Sequence, residues 1–174
     1  MRQRSLAPVT LVFMKRMGAI LLIASLRFSS QAQTPDCLVF GVVKDITTHE
    51  KLISVRAEAL DMKWGRYVTA FVNDSGRYEL HLGRNGEWLL TFGARGHVSK
   101  RVKILLDGIP EEEWEGGFGM NIDMTLLQEE EGIDYSLFDE PFGIARYNSD
   151  SARLEWDLAY TRSMLVRQKK LLKK

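Results

Sequence analysis

The chain has one cysteine and no apolar run long enough to cross a bilayer as a helix. Cys37 is alone among 174 residues, so no disulfide can form within the chain. We expect it to pack as a small apolar side chain at the start of a strand. The longest apolar run, 17–26, is about half the length that a transmembrane helix needs.

The middle of the chain is poor in basic residues. Residues 1–32 and 162–174 contain eleven bases and no acid, which leaves 13 bases against all 23 acids in 33–161. The net charge of this middle part is therefore −10. A nucleic-acid-binding protein needs a basic face for phosphate contacts, so the charge pattern excludes nucleic acid as the expected partner.

Residues 1–32 have the pattern of an export signal. Lys15 and Arg16 precede the apolar run, and small residues follow it up to Ala32. We predict cleavage after Ala32, with a mature chain that begins at Gln33 and a true start that could be Met14. A buried N-terminal helix is the alternative interpretation.

No catalytic or metal-binding motif is present, so we predict no catalytic, cofactor-binding or metal-ligating residues and no cofactor. His49, His81 and His97 have neither the His-x-x-Glu nor the His-Glu-x-x-His spacing of zinc sites. Ser75 lacks the glycine pattern of a nucleophile elbow. The Gly-rich stretch 116–119 is not followed by the Lys of a phosphate-binding loop, and Cys37 has no histidine near it in sequence.

An acidic tract at 107–140 is the most unusual feature of composition. It contains twelve acids and no base, but its spacing does not match a calcium-binding loop. A solvated acidic face is the plain interpretation, and a calcium site or a pair of catalytic carboxylates is the alternative. The acids are Asp107, Glu111, Glu112, Glu113, Glu115, Asp123, Glu129, Glu130, Glu131, Asp134, Asp139 and Glu140.

Between 37 and 127 the apolar residues alternate with polar ones, which predicts half-buried strands. Seven short runs are separated by turn residues such as Asn73-Asp74-Ser75-Gly76. We predict a mostly β fold, a seven-stranded antiparallel immunoglobulin-like β-sandwich at 33–127. Its predicted buried side chains are Val55, Tyr78, Leu80, Leu90, Phe92, Val102, Ile122 and Met124.

The pattern changes after Leu127. Residues 128–152 have no sustained period but are rich in aromatic and aliphatic side chains, which predicts a docked irregular extension. Residues 153–174 are predicted to form a basic amphipathic helix with Leu154, Leu158 and Leu165 on one stripe, packed near the acidic tract. Asp150 or Ser151 is expected to cap it.

The stretches VFGVVKDITTHEKLISVRAEAL, NDSGRYELHL and WLLTFGARGHVSKRV resemble the carboxypeptidase regulatory-like domain, a transthyretin-like β-sandwich. With GFGMNIDMTLL and FGIARYN, the chain also resembles stand-alone exported proteins of Bacteroidota. The resemblance implies an architecture rather than an activity. In this context Asp150-Ser151-Ala152 matches the short O-glycosylation acceptor pattern of that phylum.

These observations together predict an exported, non-catalytic β-sandwich module in the periplasm or cell envelope. It would act as an accessory or binding protein for an envelope protein or a glycan. Two alternatives remain open. One is a small secreted hydrolase with a metal or carboxylate site in the acidic loop, and the other is peripheral membrane attachment through the basic residues of 162–174.

Overall fold

The computed structural model describes residues 37–171. The predicted signal segment 1–32 and the last three residues lie outside them. Within the described part, no helix is long and apolar enough to span a membrane. The strands are β1 (Cys37–Asp45), β2 (Arg56–Asp61), β3 (Tyr67–Phe71), β4 (Arg77–Leu82), β5 (Glu87–Gly93), β6 (His97–Val98), β7 (Lys100–Leu105), β8 (Phe118–Asn121), β9 (Met124–Gln128), β10 (Ile144–Asn148) and β11 (Arg153–Trp156), followed by one α-helix, α1 (Leu158–Leu171).

The strands form two sheets that pack as a β-sandwich. One sheet has the order β4-β1-β9-β6, with β8 also paired to β1, and the other has the order β11-β10-β7-β5-β2-β3. The long, nearly continuous apolar run of β1 suits its central position in the first sheet. β8 and β9 both run parallel to β1, one after the other along the same side. Gly41 permits this arrangement, because a Cβ there would collide with the carbonyl oxygen of Ile122.

The core lies between the sheets, and the predicted alternation is confirmed. All eight side chains predicted to be buried are at most 5% exposed. Tyr78 of the first sheet meets Phe92 of the second edge-to-face, with ring centroids 5.0 Å apart. The Tyr78 hydroxyl donates to the carbonyl oxygen of Ile122 at 2.8 Å, which satisfies a polar group in the middle of the core.

The number and direction of the strands differ from the prediction. Residues 37–128 contain nine strands instead of the seven predicted for 33–127, and β10 and β11 follow. Three of the pairings (β1 with β8, β1 with β9, and β7 with β10) are parallel. Two of the seven predicted strands, 97–104 and 119–127, are each divided, at Ser99 and at Ile122–Asp123. Ile53 continues the alternation of Val55, Ala57 and Ala59 in sequence, which predicts that it faces inward, but it is exposed because β2 begins only at Arg56.

The C-terminal part also needs correction. The predicted irregular extension 128–152 contains β10, which joins the second sheet beside β7. The first residues of the predicted helix instead form β11, and the helix begins at Leu158. Asp157 caps it, because its Oδ1 accepts the backbone N–H of Tyr160 at 3.0 Å. Asp150 and Ser151 lie in the turn between β10 and β11, so the capping prediction was wrong.

The helix packs against the sandwich, as predicted, but through a different face. Met164 is fully buried in a second cluster with Leu127, Phe138 and Phe142. The Arg167 guanidinium makes two contacts of 3.0 Å with the Glu140 carboxylate, so one acid of the acidic tract does meet the helix. The predicted stripe was wrong, because Leu158 and Leu165 are exposed and Leu154 belongs to β11.

Candidate functional site

Lys100 is a cation in the interior of the protein. It is the first residue of β7, where alternate side chains point inward, and it is only 5% exposed. Charged lysines are rarely this buried unless they are paired. The alternation that places Val102 and Ile104 inside also places Lys100 inside, so the sequence contained a signal for this residue that our site prediction did not use.

The Lys100 ammonium has neutral partners. Nζ donates to the backbone carbonyl of Thr125 at 3.2 Å and to Gln168 Oε1 at 3.3 Å, and it lies 4.5 Å from the centroid of the Phe142 ring. Among residues 37–171, no carboxylate forms an ion pair with it. Burial without a counter-charge lowers the pKa of Lys100 to about 8.

Gln168 is the second polar side chain at this position. It is 3% exposed although it lies on a helix whose neighbouring residues face solvent. Its Oε1 accepts from Lys100, while its Nε2 is buried with no hydrogen-bond partner. An unpaired buried amide donor costs about 1–3 kcal/mol.

Lys100 lines an open cleft between the sandwich and α1. Its volume is about 250 Å³, slightly below the range of about 300–1,000 Å³ typical of ligand pockets. Gly143 brings the chain close to Trp156, since a Cβ on Gly143 would lie 2.7 Å from the indole ring. The lining residues are mostly apolar and are Lys100, Val102, Ile122, Asp123, Met124, Thr125, Phe142, Gly143, Trp156, Leu158, Thr161 and Leu165.

The α1 side of the cleft has two large apolar side chains in contact with solvent. Leu158 is 59% exposed and Leu165 is 44% exposed, although both belong to a helix with a well-packed opposite face. Both line the cleft. The site therefore combines the buried Lys100 ammonium with apolar walls, which suits a small ligand that has one anionic end.

The predicted histidines do not come together. His49 lies in an exposed turn with a φ of 61°, and His81 is exposed on β4. His97 is half-buried, with Nε2 3.1 Å from Asp45 Oδ2 and Nδ1 3.1 Å from the carbonyl oxygen of Arg95. Hydrogen bonds from the backbone N–H groups of the turn after β1 are the main reason that the pKa of Asp45 is lowered, and the contact with His97 adds to it. This pair joins the end of β1 to the start of β6.

The cysteine, serine and glycine residues examined as possible catalytic or phosphate-binding groups lie in the core or in turns. Cys37 is fully buried at the start of β1, which confirms the packing prediction. Ser75 lies in the turn before β4, where its backbone N–H and its hydroxyl both donate to Asn73 Oδ1. The turn residues 116–117 both have positive φ and precede β8.

The acidic tract does not form one carboxylate cluster. Within residues 37–171, no group of three or more His, Cys, Asp or Glu side chains is arranged to hold a metal ion. Four acids of the tract pair instead with bases from other elements: Asp107 with Lys63, Glu111 with Arg84, Asp139 with Arg101 and Glu140 with Arg167. These exposed pairs spread the negative charge over the surface.

No protein-family model matches the chain, and no curated protein matches it. In solved structures, one similarity is to catechol 1,2-dioxygenase from Acinetobacter sp. ADP1, with 11% identity and a TM-score of 0.40 over 65% of this chain and 59% of that one. A shaft pilin from Lactobacillus rhamnosus GG has 10% identity and a TM-score of 0.40 over 53% of this chain and 48% of that one.

The dioxygenase domain of a dioxygenase carbohydrate-binding protein fusion from Streptomyces sp. SirexAA-E is similar over 56% of this chain and 84% of that one, with 13% identity and a TM-score of 0.40. The chain thus spans less than two thirds of the first two structures. At identities of 10–13% and TM-scores of 0.40, these similarities assign no activity or role to this chain.

Proposed function

We propose that the protein is an exported, non-catalytic β-sandwich module of the cell envelope that binds a small ligand in the Lys100 cleft. The observation that carries the binding role is the buried Lys100 ammonium. It lines an open cleft and forms no ion pair with a carboxylate among residues 37–171. Export is supported by the basic and apolar pattern of residues 14–32.

Capture of small molecules tests the binding role. Wild-type protein, Lys100→Met and Lys170→Met are incubated with periplasmic extract and examined by native mass spectrometry. Lys170 is an exposed lysine on the same helix as Gln168, so its variant controls for loss of a charge. We expect an adduct of small mass on wild type and on Lys170→Met that Lys100→Met lacks. The same adduct on all three proteins, or none on any, would refute the binding role.

Fractionation and turnover assays test the other two parts of the proposal. Expression of the full chain in a Gram-negative host should release protein on osmotic shock, with an N-terminus at Gln33. Protein that stays in the cytoplasm with residues 1–32 attached would contradict export. Turnover of peptide, ester or glycan substrates that is lost on mutation of a polar cluster, or stoichiometric zinc in protein purified without a histidine tag, would favour the hydrolase.

Peripheral membrane attachment is the second candidate, and one observation favours it. Arg162, Leu165, Val166 and Lys169 are all exposed on α1, which gives that helix cationic and apolar side chains in contact with solvent. Sedimentation with anionic liposomes at low salt would support this role. Protein that remains in the supernatant under those conditions would argue against it.

A further inference from the structure

We propose that the Lys100 cleft selects small monocarboxylates, with the carboxylate beside Lys100 Nζ and an apolar body between the cleft walls. This inference rests on the proposed binding role and adds the chemical class of the ligand. It is carried by the hydrogen-bond donors at the site, by the charges around it and by the shape of its walls.

The donors at the site need acceptors. A lysine ammonium has three hydrogen-bond donors, and Thr125 and Gln168 accept two of them. A carboxylate offers two oxygens with about four lone pairs, so it can accept from Lys100 and compensate its charge at the same time. A neutral amide or alcohol supplies a hydrogen bond but leaves the buried charge uncompensated.

The charges around the cleft favour a single negative charge on the ligand. Lys100 and Asp123 are the two ionisable residues that line it, and Asp123 is exposed at the wall, where its Oδ1 accepts the backbone N–H of Val42. One anion on Lys100 gives a neutral buried pair. A second negative charge would remain uncompensated and would face the Asp123 carboxylate, so a dianion binds less favourably.

The walls define the rest of the ligand. Trp156, Leu158 and Leu165 offer apolar surface that is now partly in contact with water. An aromatic or branched aliphatic body of a small acid would cover this surface while its carboxylate reaches Lys100. The volume of about 250 Å³ corresponds to about eight waters at about 30 Å³ each, which is room for a molecule the size of benzoate.

Benzoate is therefore the probe for the test. Protein purified from cells that express the full chain is titrated calorimetrically at pH 7 with benzoate, with its neutral isostere benzamide and with the dianion terephthalate. We expect benzoate to bind at least tenfold more tightly than either of the others. Lys100→Met should weaken benzoate binding at least tenfold, and Lys170→Met should leave it within twofold of wild type.

The pH profile of the wild type provides a second measurement that needs no variant. Because the bound carboxylate requires a protonated Lys100, affinity for benzoate should be constant from pH 6 to about 7.5 and fall about tenfold per pH unit above about 8. A profile that is flat to pH 10 would overturn the inference even if Lys100→Met does not fold.

Three results of the titration would also overturn it: no benzoate binding at millimolar concentration, equal affinity for benzamide, or equal losses in the two lysine variants. These outcomes are distinct from failure of the proposed function. If wild type captures an adduct through Lys100 but does not bind benzoate, the binding role stands and the ligand class is wrong. If benzoate binds but the protein is not exported, the ligand class stands and the location is wrong.

Discussion

Replacement of Lys100 by methionine should change how stability depends on pH. Methionine keeps much of the length and apolar volume of the lysine stem but removes the charge. In the folded protein, burial lowers the pKa of Lys100 from its ordinary value near 10.5 to about 8. Holding this lysine in its charged form therefore costs the folded state about 3 kcal/mol at pH 7.

The direction in which the free energy of unfolding changes with pH follows from the protons bound by the folded and unfolded states. Between pH 8 and 10.5 the unfolded chain keeps the lysine proton while the folded protein loses it, so wild-type stability rises with pH in this window through Lys100. The free energy of unfolding of wild type minus that of Lys100→Met should increase by about 2–3 kcal/mol between pH 7 and pH 10. Taking the difference cancels groups common to both proteins, such as Tyr78, whose pKa is raised by burial.

Urea denaturation at several pH values measures this difference. At pH 7 the variant gains from removal of the charge but leaves the acceptors on Thr125 and Gln168 without a partner, which costs about 1–3 kcal/mol for each buried group. The absolute change at pH 7 is the difference between these two opposing contributions, so the pH dependence is the diagnostic quantity. A difference that is the same at pH 7 and pH 10 would refute the argument that Lys100 is a desolvated, unpaired cation. Lys170→Met is the control for loss of an exposed lysine charge.

Other substitutions test the packing around the site. Met164→Ala should lower the free energy of unfolding by about 2–5 kcal/mol, because Met164 is fully buried. Leu165→Ala, on the exposed side of α1, should change it by less than about 1 kcal/mol. Equal effects of the two variants in urea denaturation would show that α1 is not docked. Tyr78→Phe leaves a buried backbone carbonyl without its donor and should cost about 1–3 kcal/mol by the same assay, so an unchanged midpoint would contradict that hydrogen bond. Gly143→Ala should displace the ring of Trp156 and weaken benzoate binding without unfolding the sandwich; unaltered tryptophan fluorescence and affinity would contradict the cleft geometry.

The period of two predicted the sandwich core well because local alternation determines which side chains share a face of a sheet. It did not predict which strands are neighbours. The pairing of β1 with β8 and β9 joins residues about 80 positions apart and depends on how the whole core closes. The short apolar pattern at 153–156 is compatible with either a helix or a strand. The segment forms a strand because it pairs antiparallel with the neighbouring β10.

The candidate site was harder to predict than the fold. Alternation along β7 places Lys100 inside, but the strong tendency of lysine to remain in water argued for a surface position. Its partner Gln168 lies 68 residues further along the chain, on a helix whose inward face was predicted incorrectly. A buried lysine can be recognised as a candidate binding residue only from the tertiary structure, which shows that no carboxylate forms an ion pair with it.

The most direct test of this account is the pKa of Lys100 measured by NMR on the ¹³Cε resonances of the lysines, with and without benzoate. We predict one lysine, absent from the spectrum of Lys100→Met, that titrates near pH 8 in the free protein and at a higher pH when benzoate is bound. If all lysines titrate near their ordinary value of about 10.5, or if benzoate leaves the low value unchanged, Lys100 is not the uncompensated cation of a carboxylate site.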